Sequence, residues 1–265
     1  MALESLQNQQ FLQHCNANNL DGVTDCLSRG VDVNTQSWNG YWSGLTIAAD
    51  KNYPDLLDIL LAHPDIKINN TNARSGWYWT ALMFACDAGN SNTVSRLVEE
   101  EGLDFNYQDQ YGDTAAIWAS FHGHTECVRV LARTGKVDWN ITDSAGWTAL
   151  YFALYWGYSD TVDILVKIPG IDFNVKRWDG VTLVQAAVWK GVVRSVETLA
   201  NQEKFDSWNV PDENGNTQVM KALKSGETDM VKILVGCPRV DLTIRDKYGW
   251  SLVMMTIAGK KLGEC

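Results

Sequence analysis

Apolar positions along this chain fall into short blocks separated by glycine and polar residues, and one stretch, 140–174, shows the pattern in full. Its first block, 149–156, is wholly apolar. Its second places Val162, Leu165 and Val166 at helical spacing. Gly146 and Thr148 precede the first block, Gly157 follows it, and Pro169-Gly170 stops the second. The pattern predicts two short helices. One covers 149–156, capped by Thr148 and ended by Gly157, and the other covers 161–167. Neither is long enough to hold together alone in water, so burial against neighbours must stabilise both.

The same pattern recurs in both directions. Glycines at Gly112, Gly146, Gly180, Gly215 and Gly249 are separated by 34, 34, 35 and 34 residues. Two positions after each stands Thr114, Thr148, Thr182, Thr217 or Ser251. The closing column, Asn106, Asn140, Asn174, Asn209 and Thr243, keeps the same intervals, and Leu131, Leu165, Leu199 and Leu234 form an apolar column in phase with it. A fixed period of this size specifies stacked copies of one supersecondary unit.

These residues resemble the ankyrin repeat: Gly-x-Thr-Ala-Leu, then Ala, then a Gly-His pair kept as Gly123-His124, then Asp-x-Asn at Asp104, Asp138 and Asp172. Ala81, Ala115 and Ala149 stand where the family often has proline after the threonine. The period is one residue longer than the family's usual value of about 33, and the extra residue fits the turn 168–171. The resemblance implies an all-α repeat solenoid of stacked helix-turn-helix units with short β-hairpin loops. It covers the whole chain as one domain, 1–265, divided into an amino-terminal capping repeat 1–36, repeats 37–71, 72–108, 109–142, 143–176, 177–211 and 212–245, and a partial carboxy-terminal cap 246–265. The first two full repeats carry aromatic insertions, Tyr41-Trp42-Ser43 and Trp77-Tyr78-Trp79-Thr80.

Charge narrows the function. The net charge is -10, and no basic run exceeds Lys176-Arg177 or Lys260-Lys261, which argues against nucleic acid or an anionic membrane as partner. With no apolar run of membrane-spanning length and no signal-like start, the chain reads as cytoplasmic or nuclear. Cys15, Cys26, Cys86, Cys127, Cys237 and Cys265 include no CxxC pair and read as small hydrophobes. His122-x-His124 is too short for a metal site, and His124 holds the family's structural Gly-His position. Without a phosphate-binding loop or a converging acid–base set, the chain reads as a non-enzyme with no cofactor and no metal.

The twelve tryptophans sort into two ladders. Phe105, Trp139, Phe173 and Trp208 precede the closing Asn and grade into Val33, Ile68 and Leu242, which marks a packing position; Trp118 and Phe152 read as core. The second ladder, Phe121, Tyr155 and Trp189, ends the first helices beside His122, Trp156 and Lys190. The resemblance implies that helix ends and turn tips line a concave binding surface, whose turn positions include Trp77, Tyr111, Trp147, Trp178, Tyr248 and Trp250. The expectation is non-catalytic capture of a protein or peptide with aliphatic or basic side chains. Its sites are Trp77, Tyr111, Phe121, His122, Trp147, Tyr155, Trp156, Trp178, Trp189 and Trp250, with Trp147, Tyr155, Trp156 and Trp189 as anchors. Three other readings stay open: rings that only extend the core, association of two copies through the same stripe, and a regulatory or substrate-recruiting segment of a larger protein. The closing Asn residues are expected to bond their own turns. The resemblance also permits their hydroxylation by an oxygenase.

Overall fold

Repeats open where a hydroxyl caps a helix. Ser43, Thr80, Thr114, Thr148 and Thr182 each accept a hydrogen bond from the backbone N–H three residues on, at 3.1–3.4 Å, which satisfies a donor the first helical turn cannot pair internally. The computed structural model describes residues 2–72, 76–203, 205 and 207–262. They fall into two units, Met1–Ser144 and Ala145–Cys265.

In the first unit the helices are α1 (Ala2–Asn16), α2 (Leu20–Ser28), α3 (Gly44–Lys51), α4 (Pro54–Leu61), α5 (Ala81–Asp87), α6 (Ser91–Leu97), α7 (Ala115–Phe121) and α8 (Thr125–Thr134). Odd-numbered helices pack on one another as one row, and even-numbered helices as a second. The second unit repeats the arrangement with α9 (Ala149–Trp156), α10 (Ser159–Leu165), α11 (Leu183–Trp189), α12 (Val193–Ala200), α13 (Gln218–Lys224), α14 (Thr228–Gly236) and α15 (Leu252–Leu262). Helix α9 has the expected bounds, with Gly157 left-handed at its end. Helix α10 starts and ends two residues earlier than expected. Apolar spacing marks only its buried face, whereas Ser159 and Asp160 form a polar first turn that suits the helix dipole.

Between repeats, the described loops carry isolated antiparallel bridges, Gln36 with Ser43, Lys176 with Thr182 and Arg245 with Ser251, rather than strands. Side chains do much of the joining. Asn34 Nδ2 donates to Asp65 O at 2.8 Å while its Oδ1 accepts from Lys67 N at 2.8 Å. Asn69, Asn106 and Asn209 make the same two-way clasp to the following repeat. At Asn106 and Asn209 this corrects the expectation that the closing Asn side chain bonds its own turn. The local turn is closed by the aspartate two residues earlier, as where Asp104 accepts from Asn106 N at 3.0 Å, which leaves the amide to reach the neighbour. The turn glycines serve the same stacking: Gly146 has φ 84, and a Cβ there would stand 3.0 Å from Trp178 N.

Packing bears out one aromatic ladder and corrects a second assignment. Phe105, Trp139, Phe173 and Trp208 are buried, as is Val33. Trp118 and Phe152, expected in the core, are half-buried. They lie at the edge of the helix row, among rings described below. Cys15, Cys26, Cys86, Cys127 and Cys237 are buried free thiols, and burial pushes Cys15 up to about 12 and Cys127 up to about 11, consistent with packing rather than reactivity. Cys265 lies outside the described residues.

Candidate functional site

In the first unit, rings meet around the ends of α3, α5 and α7. Tyr41 lies 4.8 Å from Trp42, 5.8 Å from Trp77 and 6.0 Å from Phe84, centroid to centroid. Trp79 continues the set, 5.3 Å from Trp77 and 4.6 Å from Trp118. Trp118 in turn meets Phe121 at 5.9 Å and stacks on His122 at 6.1 Å. These edge-on and tilted pairs suit the ring quadrupole. Two indoles converge on one buried carboxylate: Trp79 Nε1 and Trp118 Nε1 donate to Asp109 Oδ2 at 2.9 and 3.2 Å. The other oxygen of Asp109 accepts from the backbone N–H groups of Tyr111 and Asp113 at 2.8 and 3.0 Å.

Carboxylates gather beside these rings. Asp87 Oδ1 stands 2.9 Å from His122 Nε2, and His124 bonds the Asp87 carbonyl at 2.9 Å, the structural use expected for the Gly-His position. Asp113 is pushed up to about 7, first by burial and then by the like charges of Asp109 and Asp143.

The second unit has a comparable aromatic set in a different electrostatic setting. Trp147 stacks on Phe152 at 4.7 Å and meets Tyr151 and Tyr155 edge-on at 4.4 and 4.9 Å; Tyr155 meets Trp156 at 5.1 Å. Cations cover these rings. Lys190 Nζ is 4.2 Å from the Tyr155 centroid and 5.0 Å from that of Trp156, Arg177 lies 5.3 Å over Trp147, and Lys221 lies 4.9 Å over Trp189.

The ten expected contact residues are therefore placed unevenly. Phe121 and His122 adjoin one another, as do Trp147, Tyr155 and Trp156. Trp156 is 46% exposed, Trp189 50% and Trp178 77%. Tyr111, Trp77 and Trp250 are exposed as well, with Trp77 held against Tyr41 and Trp79. Sequence reasoning passed over Trp38, 93% exposed in the turn before α3, although it stands four residues after the closing Asn34 as Trp178 stands four after Asn174. It also passed over Tyr151, buried beneath Trp147, and Asp109, whose pairing with two indoles joins residues far apart in the chain.

Known proteins resemble this architecture. The family model for ankyrin repeats (three copies) matches residues 11–109, 45–142 and 82–177. Among solved structures, the ankyrin repeat domain of Bcl-3, described as a unique member of the IkappaB protein family, is similar with a TM-score of 0.69 at 22% identity, over 80% of this chain and 92% of that one. An ankyrin repeat domain from Acinetobacter baumannii AYE is similar with a TM-score of 0.64 at 26% identity, over 72% of this chain and 95% of that one. No curated protein matches.

Proposed function

The chain belongs to the ankyrin-repeat family, whose repeats are generally protein–protein interaction modules, and from that premise we propose that it works without catalysis, as a scaffold holding a partner protein or peptide on the aromatic ends of its first helices and turns. The observation that carries this reading is the cluster of Trp147, Tyr155 and Trp156, with Trp156 half exposed and a lysine lying over its ring. Scattered surface rings are ordinary. A joined set of large rings in contact with solvent is what interfaces use as anchors.

Trp147, Tyr155, Trp156 and Trp189 are the proposed anchors, with Trp77, Tyr111, Phe121, His122, Trp178 and Trp250 as further contacts. Aliphatic partner side chains fit between rings of the second unit, since its ring faces already hold cations. Basic side chains suit the carboxylates of the first. The repeat division within 1–265 is proposed on the same footing, each full repeat supplying one helix pair and one turn and the partial cap 246–265 a single helix.

The test is a Trp156→Ala plus Trp189→Ala variant, used as bait in affinity capture from native lysate with quantitative mass spectrometry. Partner recovery is expected to fall at least about tenfold, because anchor residues each contribute on the order of 2 kcal/mol. Equal recovery with an unchanged circular dichroism spectrum would reject these anchors.

A further inference from the structure

The aromatic ladder has an acidic continuation. Phe121 and Tyr155 each stand seven residues after the hydroxyl that caps their helix, and in the two preceding repeats that position is Asp50, after Ser43, and Asp87, after Thr80. Both aspartates are half-buried at the ends of α3 and α5, helices that pack together. The Asp50 carboxylate accepts no hydrogen bond and forms no ion pair among the described residues; Asp87 has only His122. The Tyr41 phenol is pushed up by burial and then by the negative charges of Asp50 and Asp87, and Asp50 is itself pushed up by burial and by Asp87, against a smaller effect of Lys51. Two carboxylates and an aromatic cluster therefore share one neighbourhood. A partly desolvated carboxylate facing a like charge is costly unless a cation meets it.

We propose that Asp50 and Asp87, with the rings of Tyr41, Trp42 and Trp77, the first two packed against buried Phe84, form a docking site for a basic segment of a partner protein, one arginine side chain lying on the rings and paired with Asp50. A guanidinium suits this surface on two counts. Its flat face stacks on aromatic rings, and its fork donates to a carboxylate with two N–H groups at once. Exposed Trp77 and Tyr78 border the site and supply apolar area for the neighbouring residues of the segment. Charge complementarity selects the occupant: an acidic segment would meet Asp50 and Asp87 as like charges. The inference rests on the reading that helix ends of this row face the partner, and it names the chemistry recognised in the first unit.

The test uses a labelled peptide of alternating glycine and arginine as probe, with a glycine–glutamate peptide as control, followed by fluorescence anisotropy on the full chain. The arginine peptide is expected to bind saturably, and an Asp50→Asn plus Asp87→Asn variant to weaken it at least tenfold. A charge-matched variant, Glu99→Gln plus Glu101→Gln, is expected to change it less than twofold. Asparagine is isosteric at both positions and removes a like-charge repulsion, so the first variant is expected to fold with its circular dichroism unchanged. Affinity within twofold of the parent in that variant, or equal loss in the charge-matched one, would overturn the proposal. Loss of native-partner capture in the Trp156/Trp189 variant together with unaltered arginine-peptide binding in the Asp50/Asp87 variant sinks this site alone. The reverse pattern sinks the anchor assignment alone.

Discussion

The units Met1–Ser144 and Ala145–Cys265 put rings at matching positions around their first helices and set different charges beside the tryptophans. In the first, indole edges point at a carboxylate: Trp79 and Trp118 both donate to Asp109. In the second, ring faces lie under cations: Lys190 on Tyr155 and Trp156, Arg177 on Trp147, Lys221 on Trp189. An aromatic ring carries a positive edge and a negative face, so either sign of charge can be accommodated. Repeat geometry thus fixes where a ring sits, while the charge beside it varies from repeat to repeat. Recognition can differ between units built from one template.

The largest effect is expected at Asp109, where two indole edges of the first unit meet one carboxylate. Replacing it with alanine removes the acceptor for two indole N–H groups and two turn N–H groups. Asp109 is buried, so some of these donors lose their only protein partner. The Asp109→Ala variant is expected to lose about 3 kcal/mol of unfolding free energy, of the size seen when buried charge-assisted hydrogen bonds are cut. Urea denaturation followed by tryptophan fluorescence measures it. At the same repeat position the second unit has Arg177 over Trp147, its guanidinium paired with Asp179, while Asp212 and Asp246 close their turns as Asp109 does; Arg177→Ala is expected to cost under about 1 kcal/mol. Equal losses at the two sites would erase the distinction between an edge anchor and a face contact.

A smaller effect separates Asp113 from its counterpart Asn216, each standing between the turn glycine and the helix cap. Asp113 is pushed up to about 7, well above the ordinary carboxylate range, by burial and by the like charges of Asp109 and Asp143. The folded chain therefore holds this proton more tightly than the unfolded chain. Stability is unaffected below the unfolded value, falls as pH rises between the two values, and is lower by a constant amount above about 7. Asp113→Asn is expected to be neutral near pH 4 and stabilising at pH 8 by on the order of 2 kcal/mol, a figure reduced from the full shift for solvent access. Melting temperatures at the two pH values check it. A variant that gains nothing at pH 8 would show that the carboxylate is better hydrated than its surroundings suggest.

Much of the fold was legible because it repeats. The Gly-x-Thr opening, the apolar block and the closing Asp-x-Asn each recur in phase, and α9 follows the bounds read from its block and caps. The start of α10 was not legible, since its first turn is polar. Nor was the role of the closing Asn residues, because a side chain that clasps the next repeat has the same local sequence as one that bonds its own turn. At the candidate site, ring positions could be read from register. Their partners could not: Asp109 joins Trp79 across thirty residues, and nothing in the spacing says whether a ring will show its edge to an acid or its face to a lysine. Trp118 and Phe152 were misassigned for a related reason, since an apolar residue inside a short helix can lie at the rim of the row as well as beneath it.

The smallest effect concerns the cations over the second unit's rings, and it decides whether those rings are open to a partner. Lys190 lies over Tyr155 and Trp156 and forms no ion pair among the described residues, whereas Lys221 over Trp189 also pairs with Asp212 at 3.1 Å. A cation–π contact at a solvent-exposed site is worth about 0.5–1 kcal/mol, and a lysine stem gains much of its entropy back on release. Lys190→Ala is therefore expected to lower stability by no more than about 1 kcal/mol while acrylamide quenching of tryptophan fluorescence rises, because the stem no longer shields the Trp156 face. Lys221→Ala should cost somewhat more, since it also strips a partner from Asp212. Losses of several kcal/mol would make these lysines part of the framework and the rings beneath them inaccessible. Small losses mean that the aliphatic side chains of a partner can displace the ammonium groups at little cost and reach the rings beneath.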